Sequence, residues 1–94
     1  DYFNLGYKIY YWRTSTNVEV DFVLYGQKGI KAFEVKRTGK ISDSMLKGLN
    51  IFLKSYPSAK TYFIYGGERK LVIKNIEIIP IKDFLTELPA ILSK

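Results

Sequence analysis

Val18-Glu19-Val20-Asp21-Phe22-Val23-Leu24-Tyr25-Gly26-Gln27-Lys28-Gly29-Ile30-Lys31-Ala32-Phe33-Glu34-Val35-Lys36-Arg37 is the stretch whose reading decides the fold. Two runs rich in β-branched and aromatic residues flank a break at Gly26-Gln27-Lys28-Gly29. Each run alternates apolar with polar residues near its outer end, the pattern of a half-buried β-hairpin. A symmetric closure, with a loop of two residues (Gln27, Lys28) or of four (Gly26 to Gly29), fixes the register. Phe22 then faces Phe33 and Val20 faces Val35 on one side of the sheet. Asp21 faces Glu34 and Glu19 faces Lys36 on the other, because opposed residues share a face. This predicts an apolar core face and a charged face.

Like charges directly across a ladder repel, so Asp21 and Glu34 call for a cation. Lys36, two residues beyond Glu34 on the same face, supplies part of it. A hard divalent ion is suited to supply the rest, since magnesium takes one or two carboxylates, keeps several waters and leaves positions open for a phosphate.

With Asp21 on one strand and Glu34-Val35-Lys36 on the next, the hairpin resembles the PD-(D/E)XK, or restriction-endonuclease-like, superfamily. The wider set Tyr11-Trp12-Arg13, Val18-Glu19-Val20-Asp21-Phe22-Val23 and Phe33-Glu34-Val35-Lys36 is similar to the C-terminal domain attached to a group of prokaryotic AAA-type ATPases. Val20 stands where the superfamily name has proline, which leaves the metal-binding acid in place. The resemblance implies a metal-dependent nuclease-like domain acting on DNA, with an ATPase domain earlier in the same chain. It implies that Asp21 and Glu34 hold magnesium or manganese together with the backbone carbonyl of Val35, and that Lys36 orients or deprotonates the attacking water. Many members carry a further Glu on a helix before the first strand. The sequence opens at Asp1-Tyr2-Phe3 without that helix, so the leading helix is expected to be truncated. A nuclease-derived fold serving as a DNA-binding or regulatory module of the ATPase is the alternative. Plain surface ion pairs, Glu19 with Lys36 and Glu34 with Arg13, are the structural reading that competes with both.

Composition bounds the rest. Ninety-four residues with 47% hydrophobic and 16% aromatic content suit one folded domain over residues 1–94. The absence of Cys removes disulfides, thiolate zinc sites and Cys nucleophiles, and the absence of His removes the usual general base. Chemistry here must run on carboxylates, Lys, Tyr or an oxygen-bound metal. The sequence shows no membrane-length apolar run and no leader, which fits a piece of a longer cytoplasmic chain.

The net charge of +6 and a pI near 9.5 come mainly from the middle of the chain. There Lys28, Lys31, Lys36, Arg37, Lys40, Lys47 and Lys54 outnumber Glu34 and Asp43. A basic patch beside a carboxylate pair favours an anionic partner such as DNA, and Arg13, Arg37, Lys40 and Lys47 are the candidate phosphate contacts. A solvated lysine face is the ordinary reading of the same charges, and a surface ion pair with Glu19 or Asp21 that of Arg13.

In chain order, Asp1 to Gly6 reads as a helix remnant or linker, Tyr7 to Arg13 as a first strand, and Thr14 to Asn17 as the turn into the hairpin. Tyr10 and Trp12 are placed to stack bases, although an aromatic strand beside a core is more often packing. Thr38 to Lys40 is a loop, and Ser42 or Asp43 caps an amphipathic helix that ends near Tyr56, before Pro57. Ala59 to Tyr65 reads as a buried strand parallel to the Glu-X-Lys strand across a helical crossover. Leu71 to Ile73 and Ile76 to Ile79 are short strands, and Ile81 to about Leu88 is a last helix broken by Pro89. Glu68, Glu77, Asp83 and Glu87 read as solvated surface. The expected fold is α/β, in the order βββαβ and then short β and α, a restriction-endonuclease-like core with a mixed sheet.

Overall fold

Three antiparallel strands open the chain in the computed structural model, which describes residues 6–13 and 19–94: β1 (Tyr7–Arg13), β2 (Glu19–Gly26) and β3 (Gly29–Val35). Of the expected remnant at Asp1 to Gly6 all but Gly6, and the whole turn at Thr14 to Asn17, lie outside the described residues. β2 and β3 pair in the register expected from a two-residue loop, with Gly26 facing Gly29, Tyr25 facing Ile30 and Phe22 facing Phe33. Gly29 has φ +102°, a left-handed backbone that favours glycine, so the loop closes without strain.

A 3-10 turn (Asp43–Leu46) leads into α1 (Lys47–Ser55). Ser42 holds the extended N-cap backbone, but its hydroxyl makes no cap bond; it meets the Ser44 hydroxyl at 3.1 Å. The chain crosses back through α1 to β4 (Lys60–Tyr65), which lies parallel to β3. A tight hairpin then joins β5 (Leu71–Ile73) to β6 (Ile76–Pro80) through Lys74 and Asn75, both at positive φ, before α2 (Ile81–Ser93). The six strands run in the order β1-β2-β3-β4-β6-β5, with β4 parallel to both β3 and β6. The fold is a mixed α/β sheet with two α-helices.

The expectation of one apolar and one charged face is corrected by the way the helices pack. Leu46, Leu49 and Phe52 cover one face through Val23, Ala32, Phe63 and Ile78. Ile91 and Leu92 cover the other with Leu24, Phe33, Tyr62 and Ile64. Strands buried on both faces read as near-continuous apolar runs, as Tyr62-Phe63-Ile64-Tyr65 does. Val20 is buried with Val23 rather than with Phe22, and Val35 is exposed, so the predicted Val20 and Val35 core pair does not form.

Lys31, expected in the basic surface patch, is fully buried on the α2 side. Its ammonium donates to the Tyr7 hydroxyl at 2.9 Å and reaches the Lys94 carbonyl at 3.5 Å, while Tyr7 donates to the Leu92 carbonyl at 2.9 Å. The amine and the Tyr7 hydroxyl between them thus satisfy carbonyls at the negative end of α2. This network helps explain why α2 continues through Pro89 to Ser93 instead of stopping near Leu88. The turn beyond the proline is held by buried Ile91 and Leu92 and by the Ser93 hydroxyl donating to the Pro89 carbonyl at 2.9 Å. Glu87, read as solvated surface, pairs with Lys70 at 2.7 Å, and that hydrogen bond raises the Lys70 pKa.

Tyr62 sits in the middle of the α2-side core, and its buried hydroxyl makes no hydrogen bond among the described residues. Burial pushes its pKa from 10.0 up to about 12, with the Glu77 carboxylate and Tyr7 adding to the shift. The folded state therefore favours the neutral phenol. That contribution is fully present below pH 10 and is lost as pH rises towards 12. Tyr62→Phe removes an unsatisfied hydroxyl and should stabilise the fold at neutral pH by about 1 kcal/mol. Urea denaturation at pH 7 and pH 11 checks both parts, and the gain of the variant over the parent should widen at the higher pH.

Candidate functional site

The site starts from an irregularity in β2. Tyr10 faces Val23 and Trp12 faces Val20, so Tyr11 alone spans Asp21 and Phe22, a β-bulge. One extra residue lets Val20 and Val23 both turn towards α1 while Phe22 turns towards α2. The β2–β3 ladder consequently stops at Phe22 and Phe33, and Asp21 is not a ladder partner of Glu34. The side chain of exposed Asp21 takes over instead: its Oδ2 accepts the Val35 N–H at 2.8 Å. A charge-assisted bond of this kind fixes the carboxylate against the Glu34-Val35-Lys36 segment.

Glu34 is buried where β3 nears its end, and its Oε2 lies 3.5 Å from the Nζ of half-exposed Lys36. The Lys36 N–H donates to the Ile64 carbonyl at 2.9 Å, so β4 holds the Glu-X-Lys segment from the side opposite Asp21. These residues occupy the carboxyl end of two parallel strands, where α/β sheets commonly bind ligands.

Two loops are locked together at that end. Thr38 Oγ1 accepts the Lys40 N–H at 3.2 Å and donates to the Lys40 carbonyl at 3.1 Å, which makes a compact turn after β3. The Gly66 N–H, just after β4, donates to the Thr38 carbonyl at 2.8 Å. A Cβ on Gly66 would lie 2.4 Å from the Arg37 carbonyl oxygen, so only glycine permits the approach. The Tyr65 hydroxyl ties the second loop by donating to the Arg69 carbonyl at 2.7 Å and accepting the Arg69 N–H at 3.2 Å.

Of the predicted phosphate contacts, Arg37 and Lys40 are exposed on the first of these loops, and Lys47 is exposed at the start of α1. Arg13 ends β1 opposite Glu19, and its side chain lies outside the described residues. Arg69 is an exposed cation on the tethered second loop that the sequence reading did not single out. The available signal was its position, on the loop leaving the strand next to Glu-X-Lys. Among the described residues no three His, Cys, Asp or Glu side chains cluster as a metal site. The candidate donor set is two carboxylates and a backbone carbonyl, which suits a hard, largely hydrated ion and not zinc.

A family described as a domain of unknown function (DUF4143) matches residues 1–84. The chain belongs to the DUF4143 family. No curated protein and no solved structure matches it. In this DUF4143 domain no described helix is long and apolar enough to cross a membrane.

Proposed function

We propose that this chain is a nuclease-like domain with a restriction-endonuclease-like core, binding a divalent ion and acting on DNA phosphodiesters. The observation that carries the reading is the 2.8 Å bond from the Val35 N–H to Asp21 Oδ2, which joins the acid of one strand to the Glu-X-Lys segment of the next. Asp21, Glu34 and the Val35 carbonyl would hold magnesium or manganese, which polarises a phosphoryl oxygen and activates water. Lys36 offsets charge developing on the scissile phosphate and orients the attacking water. Arg13, Arg37, Lys40 and Lys47 neutralise flanking phosphates, which makes binding steeply salt-dependent. By the same resemblance, the chain works in the cytoplasm beside an ATPase domain of a longer protein.

A second reading, a nuclease-derived DNA-binding or regulatory module, is favoured by the absence of a third acid from the described cluster. Metal titration separates the two. Magnesium or manganese well above its dissociation constant should stabilise the fold by roughly 1 to 3 kcal/mol through linkage. Asp21→Asn should abolish that shift, because the Asn carbonyl keeps the Val35 bond but loses the charge. No thermal shift with either ion would remove the metal site. A shift without cleavage of linear, branched or flapped DNA, in a chain extended upstream to include a leading helix, would leave the binding module.

A further inference from the structure

The aromatic strand β1 is one edge of the sheet, and its aromatic side chains are only partly packed. Trp12 does pack, edge-on against Phe52 with centroids 5.2 Å apart, and Phe52 in turn contacts the ring of Tyr56 at 4.7 Å. Tyr10 and Tyr25, however, keep 48% and 52% of their surface exposed. Together with Tyr56 they rim an open groove of about 470 Å³ between β1, β2 and α1, floored by Trp12 and Phe52. Several aromatic faces held on strands and a helix, and left half in water, form a stacking platform awaiting flat partners.

The charge around the groove names the partner. Lys8 stands directly opposite Tyr25, and Lys28 occupies the tip of the β2–β3 hairpin just beyond it. No Asp or Glu occurs in residues 6–13, 23–33 or 51–62, the segments that border the groove. The acids Asp21 and Glu34 lie towards the other end of the hairpin, away from its turn. Two lysines beside exposed aromatics, with no acid in the bordering segments, suit a polyanion with planar groups. A peptide without bases would leave the stacking faces or the lysines unused.

We propose that this groove binds a single strand of nucleic acid, with bases stacked on Tyr10, Tyr25 and Tyr56 and phosphates met by Lys8 and Lys28. The site is separate from the Asp21 and Glu34 cluster and stands whether or not that cluster cuts. Stacking is sequence-tolerant, because every base offers a π-face, so the groove selects strandedness rather than sequence. In a duplex the bases stack on one another, and their faces are not offered.

Trp12 is the only tryptophan in the chain and lies in the groove floor, so its fluorescence reports occupancy directly. The 94-residue chain is titrated at low salt with oligothymidylate about eight nucleotides long, a length within the range one small domain covers. Trp12 emission should be quenched, and an abasic strand of equal length should bind at least about tenfold more weakly. Tyr10→Ala and Tyr25→Ala should each weaken binding by about tenfold, and Tyr25→Phe should restore it, because the ring does the stacking. Both alanine variants should keep the parent's thermal stability and magnesium response, since the replaced side chains are half-exposed and outside the acid cluster. Equal affinity for the abasic strand, or binding seen by anisotropy without a change in Trp12 emission, would overturn the assignment. So would a duplex that competes as well as the single strand.

Discussion

Phe33→Ala is expected to lower stability by about 3 to 5 kcal/mol, the range for emptying a buried aromatic site. The Phe33 ring is stacked between Phe22, 4.9 Å away at 13°, and Tyr62, 5.0 Å away at 14°, and meets the edge of Phe84 at 5.8 Å. These rings come from β2, β4 and α2, so one truncation removes contacts to three elements and leaves a hole in the α2-side core. At roughly 4 to 8 °C per kcal/mol for a domain of this size, the midpoint should fall by about 12 to 40 °C. Phe33→Leu retains most of the volume and should cost less than half as much. The loss extends to function because Phe22 and Phe33 form the last ladder pair before Asp21 leaves the register. Urea denaturation of the two variants measures the core effect. A loss below about 1 kcal/mol for the alanine form would mean that the stack does not organise the hairpin.

Much of the sheet was legible because its strongest determinants are local. The break at Gly26-Gln27-Lys28-Gly29 fixes the register whether the loop has two residues or four, and a one-residue error would turn Phe22 and Phe33 to the wrong face. The crossover from β3 through α1 to β4 followed equally from periodicity and Pro57. The bulge at Asp21 and Phe22 was not legible. Alternation in one strand shows no missing partner on the next, and the mismatch with Tyr11 exists only once β1 and β2 are paired. Lys31 was misplaced for a related reason: a lysine carries no local sign that a tyrosine 24 positions away and a helix end will satisfy its amine. The sequence reads Pro89 as a break, yet in the helix it costs about 3 kcal/mol, and burial of Ile91 and Leu92 offsets that at about 1.5 to 3 kcal/mol each. At the candidate site, residue types and strand adjacency were legible. The means of contact was not, since the approach of Asp21 to the Val35 N–H depends on the bulge.

Gly66→Ala is expected to be a damaging small substitution at the carboxyl ends of β3 and β4. The added Cβ would meet the Arg37 carbonyl oxygen at 2.4 Å, its carbon at 3.2 Å and the Thr38 carbonyl oxygen at 3.3 Å. All three are backbone atoms, so no rotamer relieves the clash, and separating the loops stretches the 2.8 Å bond from the Gly66 N–H to Thr38. Overpacking of this kind costs about 1 to 3 kcal/mol, and the weakened backbone bond carries the total to about 3 kcal/mol. Gly39→Ala is the matched control: it lies in the facing loop, its nearest contact would be 3.9 Å away, and it should change stability by less than about 0.5 kcal/mol. The two variants also test the proposed function. Arg37 and Lys40 ride on the loop that Gly66 anchors, whereas Asp21 and Glu34 are held by strands. Gly66→Ala should therefore weaken DNA binding several-fold at low salt and flatten its salt dependence while leaving the magnesium-induced thermal shift in place. Simultaneous loss of the metal response would mean that the acids and the loops form one cooperative unit. Unchanged DNA affinity in a folded Gly66→Ala variant would take Arg37 and Lys40 out of the phosphate-contacting set.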